Sequence, residues 1–273
     1  MKMAERIIRK LKWLLSSVFW LTIPSKAKKQ DSMGLSIGIT TFLDRYENCF
    51  KKLIIKISKL FPDEQIIVAV NGHFKKEEQI KYLEEINGFC KPFGNVKLIT
   101  HVEPVGLSKI WNEIVSNANE DKILILNDDL DINPFFREEI KTMVDNEGLT
   151  VINKSWSHFV ISKNVFSKIG PFDEGLLELG GEDDDYAARC AIGGVKIDNK
   201  SIPSIIPGLK DRRKKNIVNS YGKVMSSQLD GYSTINSSYL NTKWERGETY
   251  FEGAVHLPDR IPNYWKLKEK VKE

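Results

Sequence analysis

Asn127, Asp128 and Asp129 leave an apolar run, Ile123 to Leu126, together. Adjacent carboxylates at such a point suit a hard divalent cation that keeps some of its waters for a phosphate oxygen. The same residues also make an ordinary Asn-Asp turn, because their side chains bond their own backbone. A second acidic run, Glu182-Asp183-Asp184-Asp185, opens a segment with helical spacing, where carboxylates fit a helix N-terminus for cap and dipole reasons alone. Taken singly, neither run requires a function.

The elements that must position these acids read as alternating strands and helices. LSIGITTF from Leu35 is a β-branched strand, and Tyr46 to Leu60 carries apolar residues at helical spacing. QIIVAVNG is a second strand, Lys75 to Ile86 a charged helix and NVKLIT a third strand. Gly106 to Ala118 is an amphipathic helix with Ile110, Trp111, Ile114 and Val115 on one side, and it leads into the strand that ends at Asn127. Such alternation implies βαβ units, a mostly parallel sheet and right-handed crossovers. In sheets of this kind ligands gather at the carboxyl ends of the strands, where Asn127 to Asp129 stand.

The order SIGITTF, IIVAVNG, GLSKIWNEIVSNA, ILILNDDLDINP resembles the donor-binding half of glycosyltransferase family 2, enzymes with the GT-A fold. Ser157 to Gly194 resembles that family's acceptor-side signature: an aromatic-apolar strand, a Gly-x-Phe-Asp-Glu turn and a Glu-Asp-x-Asp motif opening a helix. The resemblance covers about Leu35 to Gly194 and implies an α/β, Rossmann-like, mostly parallel sheet flanked by helices. It also implies a metal-dependent, inverting transfer of a sugar from a nucleotide-diphosphate donor. Asn127-Asp128-Asp129 matches the family's D-x-D position, with Asp129 expected to hold Mg²⁺ or Mn²⁺ and Asp128 to face the ribose or share the metal. Asp183 takes the general-base position beside Glu182, and Arg189 would orient these carboxylates. The chemistry independently asks for two acidic sites on separate segments: one holds a cation against the leaving diphosphate, the other takes the proton of the attacking hydroxyl.

Two positions depart from the family pattern. Where the family carries an Asp that reads the nucleotide base this chain has Val70, followed by Asn71-Gly72, so Asn71 is the candidate for base recognition or simply a turn residue. Thr40 and Thr41 stand where the family has Pro-Thr, and only Thr41 matches. Further on, VKIDN and SIPSIIP read as short strands. The cationic run Arg212 to Lys215 is either a solvated loop or places Arg212 or Arg213 over the donor phosphates. Tyr221 to Leu240 reads as a polar lid, and His256 is either structural or a further metal ligand.

The chain has 273 residues and a net charge of +4, much of it at the N-terminus, which gives no basis for a nucleic-acid-binding body. Its three cysteines are widely spaced and without a C-x-x-C pair, which points to a reducing compartment. Met1 to Lys29 places basic residues around Trp13 to Ile23, a run about half of the ~20 residues that span a bilayer. It reads as an amphipathic helix on an anionic membrane surface, with a signal peptide and a packed helix as the competing readings. The expected organisation is a membrane-surface helix and linker over 1–33, a catalytic core over 34–210 and a C-terminal extension over 211–273 that closes over the site. The expected enzyme is peripheral on the inner face of the cytoplasmic membrane, acts on a glycan or lipid-linked acceptor and serves surface polysaccharide or glycolipid assembly. A sugar-phosphate nucleotidyltransferase and a non-catalytic carbohydrate-binding protein are the alternatives. TTFLDRYEN after the first strand, in place of a glycine-rich phosphate loop, argues against the former, and retention of both acidic motifs against the latter.

Overall fold

Apolar β-branched runs dictate the centre of the molecule. In the computed structural model, which describes residues 32–177, 180–207, 217–218, 224–225 and 234–244, they form four strands, three of them buried almost throughout and the one at the sheet edge half-buried. These are β1 (Leu35–Thr41), β2 (Ile66–Val70), β3 (Val96–Thr100) and β4 (Lys122–Asn127). A seven-stranded sheet has the order β3-β2-β1-β4-β7-β6-β8, completed by β6 (Leu149–Ile152), β7 (Ser155–Ser162) and β8 (Ile197–Lys200). β1, β2, β3 and β4 run parallel, β7 is antiparallel to both β4 and β6, and β8 is parallel to β6. The expected mostly parallel α/β sheet is therefore present.

Helices cover both faces. α1 (Lys51–Leu60), α2 (Lys76–Cys90) and α4 (Phe136–Val144) close over the core containing Ile37, Ile39, Leu124 and Leu126. On the other face α3 (Leu107–Asn117) and α6 (Glu182–Ile192) pack on Ile123, Ile125, Phe159 and Ile161. The remaining helices are α5 (Lys163–Ile169) and α7 (Thr234–Lys243). Complete burial of one such aliphatic side chain contributes about 1.5–3 kcal/mol, so the alternation of sides along β4 fixes its register firmly.

Several boundaries differ from the sequence reading for local reasons. The predicted helix over Tyr46 to Leu60 begins as a π turn, Tyr46–Phe50, which buries Tyr46, Cys49 and Phe50 together before α1 starts. α2 runs on to Cys90 because Gln79, Tyr82, Ile86 and Cys90 keep one buried stripe beyond the predicted end. β6 and β7 form a hairpin on Asn153 and Lys154, both at positive φ (54° and 59°), as a two-residue turn of this hand demands. SIPSIIP yields β9 (Ile205–Pro207), which pairs with β5 (Leu130–Ile132) immediately after Asp129. Only the end of the predicted lid, as α7, is described beyond two short strands, β10 (Ile217–Val218) and β11 (Val224–Met225). Among the described residues no helix is long and apolar enough to cross a membrane; the predicted membrane-surface helix lies outside them.

Candidate active site

The register of β1 against β4 builds the first half of the site. Thr40 lies opposite Asn127, and its hydroxyl donates to Asn127 Oδ1 at 3.0 Å. One residue on, Thr41 donates to Asp128 Oδ2 at 2.6 Å. Arg45, from the 3-10 turn Leu43–Arg45 that follows β1, donates to Asp128 Oδ1 at 3.1 Å and lies 3.5 Å from Asp129 Oδ2. Asp128 is 1% exposed, and burial pushes its carboxyl up to about 6, against the pull of the Arg45 charge. Asp129 is the open acid of the turn, its side chain 27% exposed.

Asp128, expected to face the ribose or share the metal, thus accepts from Thr41 and Arg45 on its two oxygens, and Thr41, expected at the donor, bonds Asp128. Arg45 was not singled out in the sequence; the available signal was a cation just past the strand that neighbours β4.

A second residue missed by sequence reasoning is His158, which lies opposite Leu126 where β7 pairs with β4. Its imidazole is 1% exposed, with Nδ1 2.8 Å from Ser157 Oγ. Burial pushes it down to about 4, although the nearby charge of Asp129 acts in the opposite direction, so it is neutral at physiological pH.

The second motif starts α6. Gly181 precedes it at φ 93°, a conformation that glycine adopts without strain, and a Cβ there would sit 2.4 Å from Leu240 of α7. Glu182, Asp184 and Asp185 are buried, whereas Asp183 is half-buried. Burial raises the Glu182 carboxyl, and the charge of Asp183 raises it further. Asp183 is also raised by burial, opposed by its own backbone N–H and that of Asp184. Asp185 is tied down from three sides: Arg189 Nε at 2.9 Å, Trp244 Nε1 at 3.0 Å and Lys243 Nζ at 2.6 Å. Arg189 therefore orients Asp185, the last acid of the run it was expected to orient, one turn into the helix; it also donates to Ile169 O at 3.1 Å and lies over the Tyr186 ring, 4.7 Å from its centroid.

Packing carries this helix start to the carboxyl edge of the sheet. Phe172 stacks on Tyr186 with centroids 4.0 Å apart. Asn112 of α3 brackets Phe172, donating to its carbonyl at 2.9 Å and accepting from its N–H at 2.8 Å. Gly106, which caps α3 after β3, approaches so closely that a Cβ would meet Leu176 O at 2.3 Å. α7 then covers the turn. Asn236 donates to Gly180 O at 2.9 Å and Tyr239 to Asp173 Oδ2 at 2.9 Å.

Asn71, left open between base recognition and a turn role, stands directly after β2. Its amide donates to Val105 O and accepts from Val105 N, both at 3.0 Å, so the side chain ties the end of β2 to the segment before α3. Arg212 and His256 lie outside the described residues.

Among the described residues no group of three or more His, Cys, Asp and Glu could hold a metal. What the strand end offers is the half-open Asp129 carboxylate beside a buried, neutral imidazole whose Nε2 has no hydrogen-bond partner among the described residues. This set fits a cation that draws its other ligands from water and phosphate, as Mg²⁺ and Mn²⁺ do.

No protein-family model matches the chain, and no curated protein matches it in sequence. Solved structures match the fold. A structure of GalNAc-T7 with UDP, GalNAc and Mn2+ aligns over 87% of this chain and 54% of its own, with a TM-score of 0.52 and 14% identity. The mannosyltransferase PcManGT from Pyrobaculum calidifontis, in complex with GDP-Man and Mn2+, aligns over 77% of this chain and 67% of its own (TM-score 0.48, 13% identity). S. aureus TarS aligns over 63% of this chain and 36% of its own (TM-score 0.49, 12% identity). The chain thus spans about half the length of the GalNAc-T7 structure and about a third of TarS. The likeness to GalNAc-T7 is one of fold, and with the sheet order it gives the chain a GT-A-like glycosyltransferase fold.

Proposed function

We propose that the chain is a metal-dependent, inverting glycosyltransferase that moves a sugar from a nucleotide-diphosphate donor to a hydroxyl of a glycan or lipid-linked acceptor. The observation that carries this reading is the pair of half-open acids, Asp129 at a strand end and Asp183 at a helix start, each in a motif that also holds a buried acid bonded to an arginine. The GT-A-like fold supports it, as does the presence of UDP and Mn2+ in the GalNAc-T7 structure.

On this reading Asp129 holds Mg²⁺ or Mn²⁺ at the donor diphosphate. The bound cation supplies neutralisation of the charge that builds on the leaving group. Asp183 accepts the proton of the acceptor hydroxyl as its oxygen attacks the anomeric carbon from the face opposite the departing diphosphate, and a single displacement inverts that centre. Its raised proton affinity suits a base, which works best when its pKa lies near the operating pH. Arg45 and Thr41 keep the Asp128 brace in place beneath the diphosphate side.

Asp129→Ala should abolish Mn²⁺-dependent binding of UDP and GDP while the melting temperature stays near that of the parent chain, since the removed side chain is partly exposed. Calorimetric titration with each nucleotide, with and without Mn²⁺, reads this out. Undiminished metal-dependent affinity in the variant would reject Asp129 as the cation's carboxylate.

A further inference from the structure

The transfer reaction leaves one buried polar group at the strand end without a role. His158 is 1% exposed, and Nε2 of its ring has no hydrogen-bond partner among the described residues. A buried nitrogen left in this state is costly unless something else meets it. The other nitrogen is fixed: Nδ1 lies 2.8 Å from Ser157 Oγ, which is itself 2.7 Å from Ser155 Oγ. Directly paired residues of adjacent strands share a face, so His158 stands on the side of the sheet that carries Leu126 and, diagonally, Asp128. The negative charge of Asp129 is felt at the ring. An imidazole with one nitrogen held by a hydroxyl and the other without a hydrogen-bond partner among the described residues, on the strand next to the one that leads into Asp128 and Asp129, is arranged as metal-binding histidines are, the outer partner setting tautomer and ring orientation.

We infer that His158 Nε2 is a second protein ligand of the cation held by Asp129. This rests on the metal-dependent reading above and adds a nitrogen donor to a site otherwise built of oxygens. The consequence is selectivity. Mg²⁺ is held through carboxylates, waters and phosphate oxygens, so a nitrogen in the shell favours Mn²⁺.

Pulsed electron paramagnetic resonance of the full chain with Mn²⁺ and UDP, and again with GDP, tests the assignment. The expected spectrum shows a directly bonded nitrogen on Mn²⁺. That coupling should vanish in His158→Gln, with Mn²⁺ affinity falling about tenfold or more, while Ser157→Ala keeps the coupling and weakens affinity by about tenfold, as loss of an outer partner does. His158→Asn serves as a second variant, should glutamine not be accommodated. Bound Mn²⁺ without a nitrogen coupling in the parent chain, or a coupling that survives in both His158 variants, overturns the inference and leaves the transferase reading intact if Asp129→Ala still abolishes binding. No Mn²⁺ binding with either nucleotide overturns both.

Discussion

The strand-end and helix-start motifs share a plan and differ in one respect. Each holds one buried acid paired with a cation and one half-open acid: Asp128 and Asp129 in the first, Asp185 and Asp183 in the second. In the first motif Arg45 reaches from the buried acid to the open one, at 3.5 Å. In the second, Arg189 and Lys243 are spent on Asp185, and the hydrogen bonds that lower the Asp183 carboxyl come from backbone N–H groups. The open acid at the strand end thus has a guanidinium for a neighbour, which the open acid at the helix start lacks among the described residues. A carboxylate raised by burial takes up a proton readily, which suits a base.

The largest effect that separates the two should come from Asp183→Asn. Transfer is expected to fall by ~10²–10⁴, about 3–5 kcal/mol in the barrier, with UDP and GDP affinity unchanged. The pH profile carries the same information. Asp183 must be ionised to work, and its raised pKa moves the acid limb of kcat/KM above the ordinary aspartate range of about 3.9. Stability moves the other way. The folded chain holds this proton more tightly than the unfolded chain, so raising the pH from the unfolded value through the folded one lowers stability. Asp183→Asn should remove the acid limb and lessen the stability dependence, of which the share from Glu182, raised first by its own burial, remains. If the acid limb persists unchanged in the residual activity, another group is the base.

Asp185→Asn should produce a comparable loss, but in stability. It leaves Arg189 and Lys243 beside a neutral group, at a cost of about 3 kcal/mol for breaking a buried pair. Urea unfolding measures this, and a change within about 0.5 kcal/mol would show that Asp185 is not an anchor. The smallest effect is expected for Thr41→Val, which removes one hydrogen bond to a charged group and should cost about 1.5 kcal/mol. Its metal-dependent nucleotide affinity should fall far less than that of Asp129→Ala. If the two losses were equal, Thr41 would touch the ligand itself, and the distinction between anchor and open acid at β4 would fail.

The sequence exposes the parallel half of the sheet because β1 to β4 are unbroken apolar runs separated by helical spacings. β5 and β6 escape it: three- and four-residue strands carry no period long enough to read, and they exist because β9 and the β7 hairpin pair with them. The site divides on the same principle. The two acidic runs are contiguous and visible in one dimension. Arg45, His158 and the brace on Asp185 depend on which strand lies beside β4 and on where α7 lands, contacts 83, 32 and 59 residues apart along the chain for Arg45 with Asp128, Leu126 with His158, and Asp185 with Trp244. Asn71 is equally illegible in one dimension, since its amide bonds both the carbonyl and the N–H of Val105, 34 residues on.

The docking of α7 also sets an order of events in folding. α7 reaches its partners across 56 to 70 residues, and those partners, the turn at Asp173 and the start of α6, must exist before they can receive the helix and repay its loop closure. α7 is then a clasp fastened after the rate-limiting step, so Asp185→Asn should quicken unfolding and leave the refolding rate nearly unchanged in stopped-flow measurements. A matching slowdown of refolding would place the clasp in the nucleus instead.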